Sequence, residues 1–215
     1  MKSRMIFSFI CAFLSFSALA LQERHLIVLR HGESEDMLTL TFNSNPNHPK
    51  YKPSALTDQG REQVKKAAEQ MLNYGFDNRS ISAVYVSTLP RAVETANILA
   101  KIGLFSQDKI QLDERLNEIK AGDTEGQIQS TFIKDTWWIG EQEAASHHGE
   151  SSEALRKRML IVYDDIENKH PNGHVLFITH GMPSTELINS LTKVKVKLDP
   201  AQVYLIPLAN RNELT

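Results

Sequence analysis

Residues 25–34 read HLIVLRHGES, a short apolar run that stops abruptly in a cation, an imidazole and a glycine. Such a run, rich in Ile, Val and Leu and without polar alternation, predicts a strand buried on both faces. Arg30 and His31 carry groups that are costly to leave unpaired beside a core. Two readings of the strand's end follow. Either the chain has reached the surface and turned, or the strand delivers two anion-binding groups to a site.

Working outward, residues 35–56 form a polar stretch with Asn43, Asn45, Pro46, Asn47, Pro49 and Pro53, predicted as a long loop. Thr57 then caps a helix with apolar positions at Val64, Ala67, Ala68, Met71 and Leu72. Ile81 to Val86 is β-branched and predicts a second strand. Pro90 opens a helix over 90–101, with Gly103 as its stop. Lys109 to Leu116 predicts a third strand or extended segment, and 117–150 is irregular, with Trp137-Trp138 inside it. A long helix is expected from Ser151 to His170, ended by Pro171-Asn172-Gly173. HVLFIT, 174–179, predicts a strand, 183–191 a helix and 202–208 a last strand.

Strands alternating with helices predict an α/β fold, a three-layer α/β/α sandwich with a mostly parallel central sheet. Ligands bind such sheets beyond the carboxyl ends of the strands. Three of the predicted strands end in polar signatures there: LRHG, STLPR and THG.

The first twenty residues stand apart. Lys2 and Arg4 precede an apolar segment, Met5 to Phe16, and Ala18-Leu19-Ala20 has the form of a cleavage site, so residues 1–20 are read as an export signal. The segment is too short to span a membrane, which takes roughly twenty apolar residues. The expected mature unit is a single domain over 21–215, periplasmic or secreted, with no stable membrane anchor. Cys11 is the chain's one cysteine, so the mature unit has no thiol chemistry and no disulfide. It would carry 22 basic against 26 acidic residues, a formal net charge of −4. A weakly acidic domain without a basic run is a poor nucleic-acid binder. An anion must then be held by a few placed cations. Composition leaves the oligomeric state open.

Taken singly, Arg30-His31-Gly32, Arg91 and His180-Gly181 are weak signals. Together they bring two arginines and two histidines to one sheet edge beside a helix N-terminus. Arginine forks match phosphate oxygens, helix amides add donors, and a neutral imidazole can attack phosphorus. Such a constellation needs no metal or other cofactor.

LRHGES (29–34), STLPRAVETA (87–96), RLNEIKAGDTEG (115–126) and ITHGM (178–182) resemble, in order and spacing, the motifs of the histidine phosphatase superfamily, in its phosphoglycerate-mutase-like branch. LTDQGREQ (56–63) and HHGESSEALRKR (147–158) are similar to further stretches of that family. The resemblance covers nearly all of 21–215. It implies that His31 is a nucleophile forming phosphohistidine, and that Arg30, Arg91 and His180 bind the phosphoryl group. It also implies that Glu118 is the proton donor, with Glu33 and Glu125 as rivals of lower rank. The implied substrate is a small-molecule phosphate ester.

One departure is Met37, where the family often has an asparagine phosphate ligand; Asn43, Asn45 and His48 of the long loop are candidate substitutes. Thr88, where Pro or Asp is common, changes little. Trp137 and Trp138 are read first as a loop or core anchor and second as an apolar lid over the leaving group. Adjacent His147 and His148 lack partners at metal-ligand spacing and read as solvated. The family's mutases carry extra cations after the Glu motif, whereas Gly126 to Thr131 has none. Hydrolysis is therefore expected, with a phosphoglycerate-type mutase or a non-catalytic phospho-ligand binder as alternatives.

Overall fold

The computed structural model describes residues 23–131 and 146–208. The expected export signal and Trp137-Trp138 lie outside the described residues. The described chain runs β1 (Arg24–Arg30), α1 (Glu35–Thr39), α2 (Asp58–Asn73), β2 (Ile81–Val86), α3 (Pro90–Ile102), β3 (Ile110–Leu112), α4 (Ser152–Lys169), β4 (His174–Thr179), α5 (Gly181–Thr192) and β5 (Val203–Leu208).

The five strands form one sheet in the order β3-β2-β4-β1-β5. The first four are parallel, and β5 closes the edge antiparallel to β1. Side chains alternate between two cores, as strand geometry requires. Ile27 and Leu29 pack with Val64, Met71, Ala96 and Leu99 of α2 and α3. Leu26 and Val28 pack with Leu155, Met159, Leu187 and Ile188 of α4 and α5. Burial on both faces is why these strands read as unbroken apolar runs.

The helix ends follow local chemistry. Thr57 accepts a hydrogen bond from Gly60 N at the start of α2, and Ser151 accepts one from Ala154 N at the start of α4. Gly103 takes the left-handed conformation that ends α3. Three expectations need correction. The 35–56 loop begins with a short helix, α1. The third strand is only three residues long and is followed by a 3-10 turn over Glu114–Leu116. The helix after β4 starts at Gly181, directly after the strand, with Pro183 inside its first turn. Among the described residues, no helix is long and apolar enough to cross a membrane.

The topology aligns the ends of β2, β4 and β1 side by side. His31 N donates to Thr179 O (3.0 Å) and Ser87 N to Ile178 O (3.0 Å), so the three polar signatures leave the sheet at one level.

Candidate active site

A cavity of about 370 Å³ opens at that carboxyl edge, with Arg30, His31, Asn43, Arg91 and Glu118 among its lining residues. Each arrives on a different element: Arg30 and His31 from β1, Asn43 from the loop after α1, Arg91 from the first turn of α3, Glu118 from the segment after β3.

His31 is buried, and its protons can be assigned. Nδ1 lies 2.6 Å from the carbonyl oxygen of Gly32, which can only accept, so Nδ1 carries the hydrogen. Nε2 is then the lone pair, and it accepts from Arg91 Nε at 3.2 Å. Burial first, then the Arg91 and Arg30 charges, hold the ring's pKa well below its usual value, so it is neutral. The pocket thus presents an uncharged imidazole whose free nitrogen faces a guanidinium.

Arg91 is 2% exposed although charged. Its Nη1 and Nη2 donate to Oδ1 and the backbone carbonyl of Asn43, at 3.3 and 2.8 Å. Asp36 Oδ2 lies 3.9 Å from Nη1, and Asp36 is itself held by the hydroxyls of Ser34 and Ser54. Thr95 Oγ1 accepts from Gly32 N and donates to Arg91 O, tying the end of β1 to α3. Arg30 donates through Nη1 to Leu198 O, and its Nη2 faces the Met37 sulfur at 3.8 Å. Arg30 Nε, buried, meets no hydrogen-bond partner among the described residues.

His180 sits directly behind His31, the ring centroids 4.8 Å apart and edge to face. It is fully buried and is not among the residues that line the cavity. Its Nε2 is 2.7 Å from Ser87 Oγ, whose hydroxyl in turn donates to Asn117 Oδ1. With that proton spent on Asn117, the hydrogen between His180 and Ser87 belongs to Nε2, and Nδ1 has no partner among the described residues. Burial, reinforced by Arg91 and His31, keeps this ring neutral as well.

Glu118 lines the cavity on a segment clamped from below. Arg158 of α4 donates to the carbonyls of Arg115 and Asn117 and pairs with Glu150. Burial raises the pKa of the Glu118 carboxyl, opposed by a hydrogen bond from Ile119 N and by the Arg91 and Arg30 charges. A carboxyl raised in this way can hold a proton for a leaving group.

Of the other expected residues, Asn43 is in the site, but it caps Arg91 and its own amide donates to Lys52 O. His48 is not among the lining residues. The Asn45 side chain accepts from Asn47 N and folds this stretch into tight turns, where His48 Nδ1 accepts from Lys50 N. Glu33 pairs with Thr57 at the head of α2 and Glu125 is buried against Ser44, so neither rival acid lines the cavity. His148 pairs with Asp123 on the surface. Trp137 falls outside the described residues.

From sequence, Gly32 reads as letting the backbone turn closely past a bound phosphoryl group; the structure gives its missing side chain a packing role. A Cβ there would meet Gly60 O at 2.5 Å and Val64 Cγ2 at 2.9 Å, so it lets β1 pack against α2. Asp36, Ser87, Asn117 and Arg158 were not singled out from sequence. Asn117 is the one a local signal could have flagged, since it directly precedes Glu118.

A family model described as the histidine phosphatase superfamily (branch 1) matches residues 26–211. The chain belongs to that superfamily. Phosphoglycerate mutase-like protein 4 of Arabidopsis thaliana is 28% identical over 164 residues, 73% of this chain and 66% of that protein. This superfamily member thus spans just under two thirds of that relative's length. Among solved structures, Bacillus stearothermophilus YhfR superposes with a TM-score of 0.71 at 25% identity, over 86% of this chain and 92% of the other. A mycobacterial glucosyl-3-phosphoglycerate phosphatase gives 0.64 at 22% identity, over 85% and 89%. The shared fold is the phosphoglycerate-mutase-like α/β sandwich.

Proposed function

We propose that the protein hydrolyses small-molecule phosphomonoesters through a phosphohistidine on His31. One observation carries this reading: the Nδ1 proton is committed to Gly32 O, so the neutral ring's nucleophilic pair is at Nε2, facing Arg91 inside the cavity.

The phosphoryl group enters between Nε2 and the guanidinium, with Arg30 and Arg91 on its oxygens. Nε2 attacks phosphorus, the P–N bond forms as the P–O bond to the organic group breaks, and the Glu118 carboxyl gives its proton to the departing oxygen. A water then attacks the phosphohistidine, giving its proton to the Glu118 carboxylate. The P–N bond breaks, its electron pair returns to Nε2, and inorganic phosphate leaves. His180 stands edge to face behind the His31 ring, itself held by Ser87, and so helps to fix the orientation of the nucleophile. No step calls on a metal. Among the described residues, no group of three or more His, Cys, Asp or Glu side chains is arranged to hold one.

The stretch after the Glu motif contributes the neutral Gln129 and Ser130 to the wall, which supports hydrolysis over transfer, while Lys197 adds one cation from another part of the chain. Residues 1–20 support an exported enzyme cleaved near Ala20, which the N-terminal sequence of the mature protein would check. The test of function uses nitrophenyl phosphate and an alkyl phosphate without added metal. Wild type should release phosphate and take up an alkali-stable label from radiolabelled substrate; His31→Ala should do neither. A His31→Ala protein that still takes up label would remove His31 as nucleophile. Phosphate moved between positions of phosphoglycerate, without release, would establish the mutase instead.

A further inference from the structure

Glu125 is completely buried, yet it lies outside the cavity and takes no part in the proton transfers above. Its carboxylate is saturated with donors. Oε1 accepts from Ser44 N (2.7 Å) and Asn45 N (3.3 Å), and Oε2 accepts from Ser44 Oγ (2.7 Å). Charge-assisted bonds of this kind are about twice as strong as neutral ones.

What those donors hold matters more than their number. The Asn43–Ser44 peptide is trans, so its N–H and C=O point in opposite directions across a rigid plane. The N–H enters the Glu125 carboxylate. The C=O accepts from Arg91 Nη2 at 2.8 Å. One peptide unit therefore stands between a buried anion and a buried cation, each polarising it in the same sense. Arg91 in turn sets its Nε against His31 Nε2. Arg91 also sits in the first turn of α3, where the helix dipole disfavours a cation, and its nearest carboxylate oxygen, on Asp36, is 3.9 Å away.

We propose that Glu125 is a positioning residue: acting through the Asn43–Ser44 peptide, it fixes the Arg91 guanidinium against His31 and so sets the enzyme's phosphoryl-binding strength. The inference rests on the phosphoryl site proposed above. Sequence pairing supports it, because Phe42 N donates to Gln127 O and Gly126 N to Phe42 O, locking residues 42–45 alongside Glu125. A role confined to holding this turn together would leave Arg91 unaffected once the protein is folded.

The test is calorimetric binding of orthovanadate, which needs no turnover. Glu125→Gln keeps the volume and one acceptor but removes the charge, and it should weaken vanadate binding about tenfold. The kcat/KM should fall by a similar factor on nitrophenyl and alkyl phosphates, since the phosphate site and not the acid is disturbed. In an Arg91→Ala background, Glu125→Gln should add less than about a twofold further loss, because the group it acts through is gone. Vanadate affinity within about twofold of wild type in folded Glu125→Gln would overturn the proposal, as would losses that multiply in the double variant. Should Glu125→Gln fail to fold, Ser44→Ala removes one of the three donors and should weaken vanadate about threefold; unchanged binding there would overturn it equally. A wild type that binds vanadate but releases no phosphate would sink the hydrolytic reading and still leave the Glu125 comparison decisive.

Discussion

Replacing His174 with asparagine should flatten the acid side of the protein's stability curve. His174 begins β4 at the sheet's amino end, far from the cavity, and is 5% exposed. Its Nδ1 accepts from His25 N at 3.1 Å, and the ring stands edge to face with Phe76 at 4.9 Å. Burial, then His25 and Arg24, lower its pKa from 6.5 to about 4. Above the unfolded value both states are neutral and folding is unaffected. As pH falls from 6.5 toward 4, the unfolded chain takes up the proton while the native ring does not, so stability is lost across that window. At pH 4.5 the loss from this one group is about 2.5 kcal/mol, equivalent to a fall in Tm of roughly 5–10 °C for a chain of this size. Asparagine does not titrate, and its Oδ1 takes up the acceptor position of Nδ1. Thermal unfolding of both proteins, followed by circular dichroism at pH 7 and pH 4.5, isolates the difference, because the lowered His31 and His180 are common to both. Equal falls in Tm for wild type and His174→Asn would refute the reasoning.

Glu118→Gln should cut turnover of an alkyl phosphate by about 10²–10⁴-fold while barely touching nitrophenyl phosphate, whose leaving group needs no proton. Because burial raises the Glu118 pKa, the wild-type rate on the alkyl ester should persist above the ordinary carboxyl range and then fall with rising pH. Equal losses on both substrates would discount Glu118 as the acid. Gly32→Ala forces a methyl into Gly60 O at 2.5 Å and should destabilise the fold by about 1–3 kcal/mol. It should also slow phosphoenzyme formation by displacing His31; an unchanged Tm would contradict the packing of β1 on α2.

The strands were legible because HLIVL, ISAVYV and HVLFIT are buried on both faces, which leaves a mark in composition alone. The cap at Thr57 was legible because it acts within one turn of itself, whereas at the head of α4 the sequence left Ser151 and Ser152 as equal candidates. Arg30, His31 and Arg91 stand at element ends, where a charge beside a core demands a reason, whereas Glu118 was implied by the family resemblance; all four line one cavity. What could not be read depends on distant partners. Helix α1 is five residues long, too short to show a period. The need for glycine at position 32 is explained by Gly60, on another element. Asn43, a candidate substrate contact, does line the cavity, but its hold on Arg91 could not be read, because that contact arises only where the chain around Phe42 pairs with Gly126 and Gln127. His48 was misplaced because the turns around Asn45 fold it away from the cavity. Glu125, ranked as a rival acid, could not be told from Glu118 by residue type, since only the fold decides which carboxyl reaches the cavity.

Strand order bears on when the site comes into being during synthesis. The insertion of β4 between β1 and β2 means that Arg30-His31, at the end of β1, and Arg91, in the helix that follows β2, arrive early beside strands that do not touch. Leu26 must await Val175, and Val84 must await Leu176, before the sheet has a centre. Contacts of such sequence separation close late and slowly. A nascent chain stopped short of residue 174 holds both arginines and the His31 imidazole yet has no central strand to register them against each other. Assembly of the proposed phosphoryl site is thereby deferred until β4 has been made.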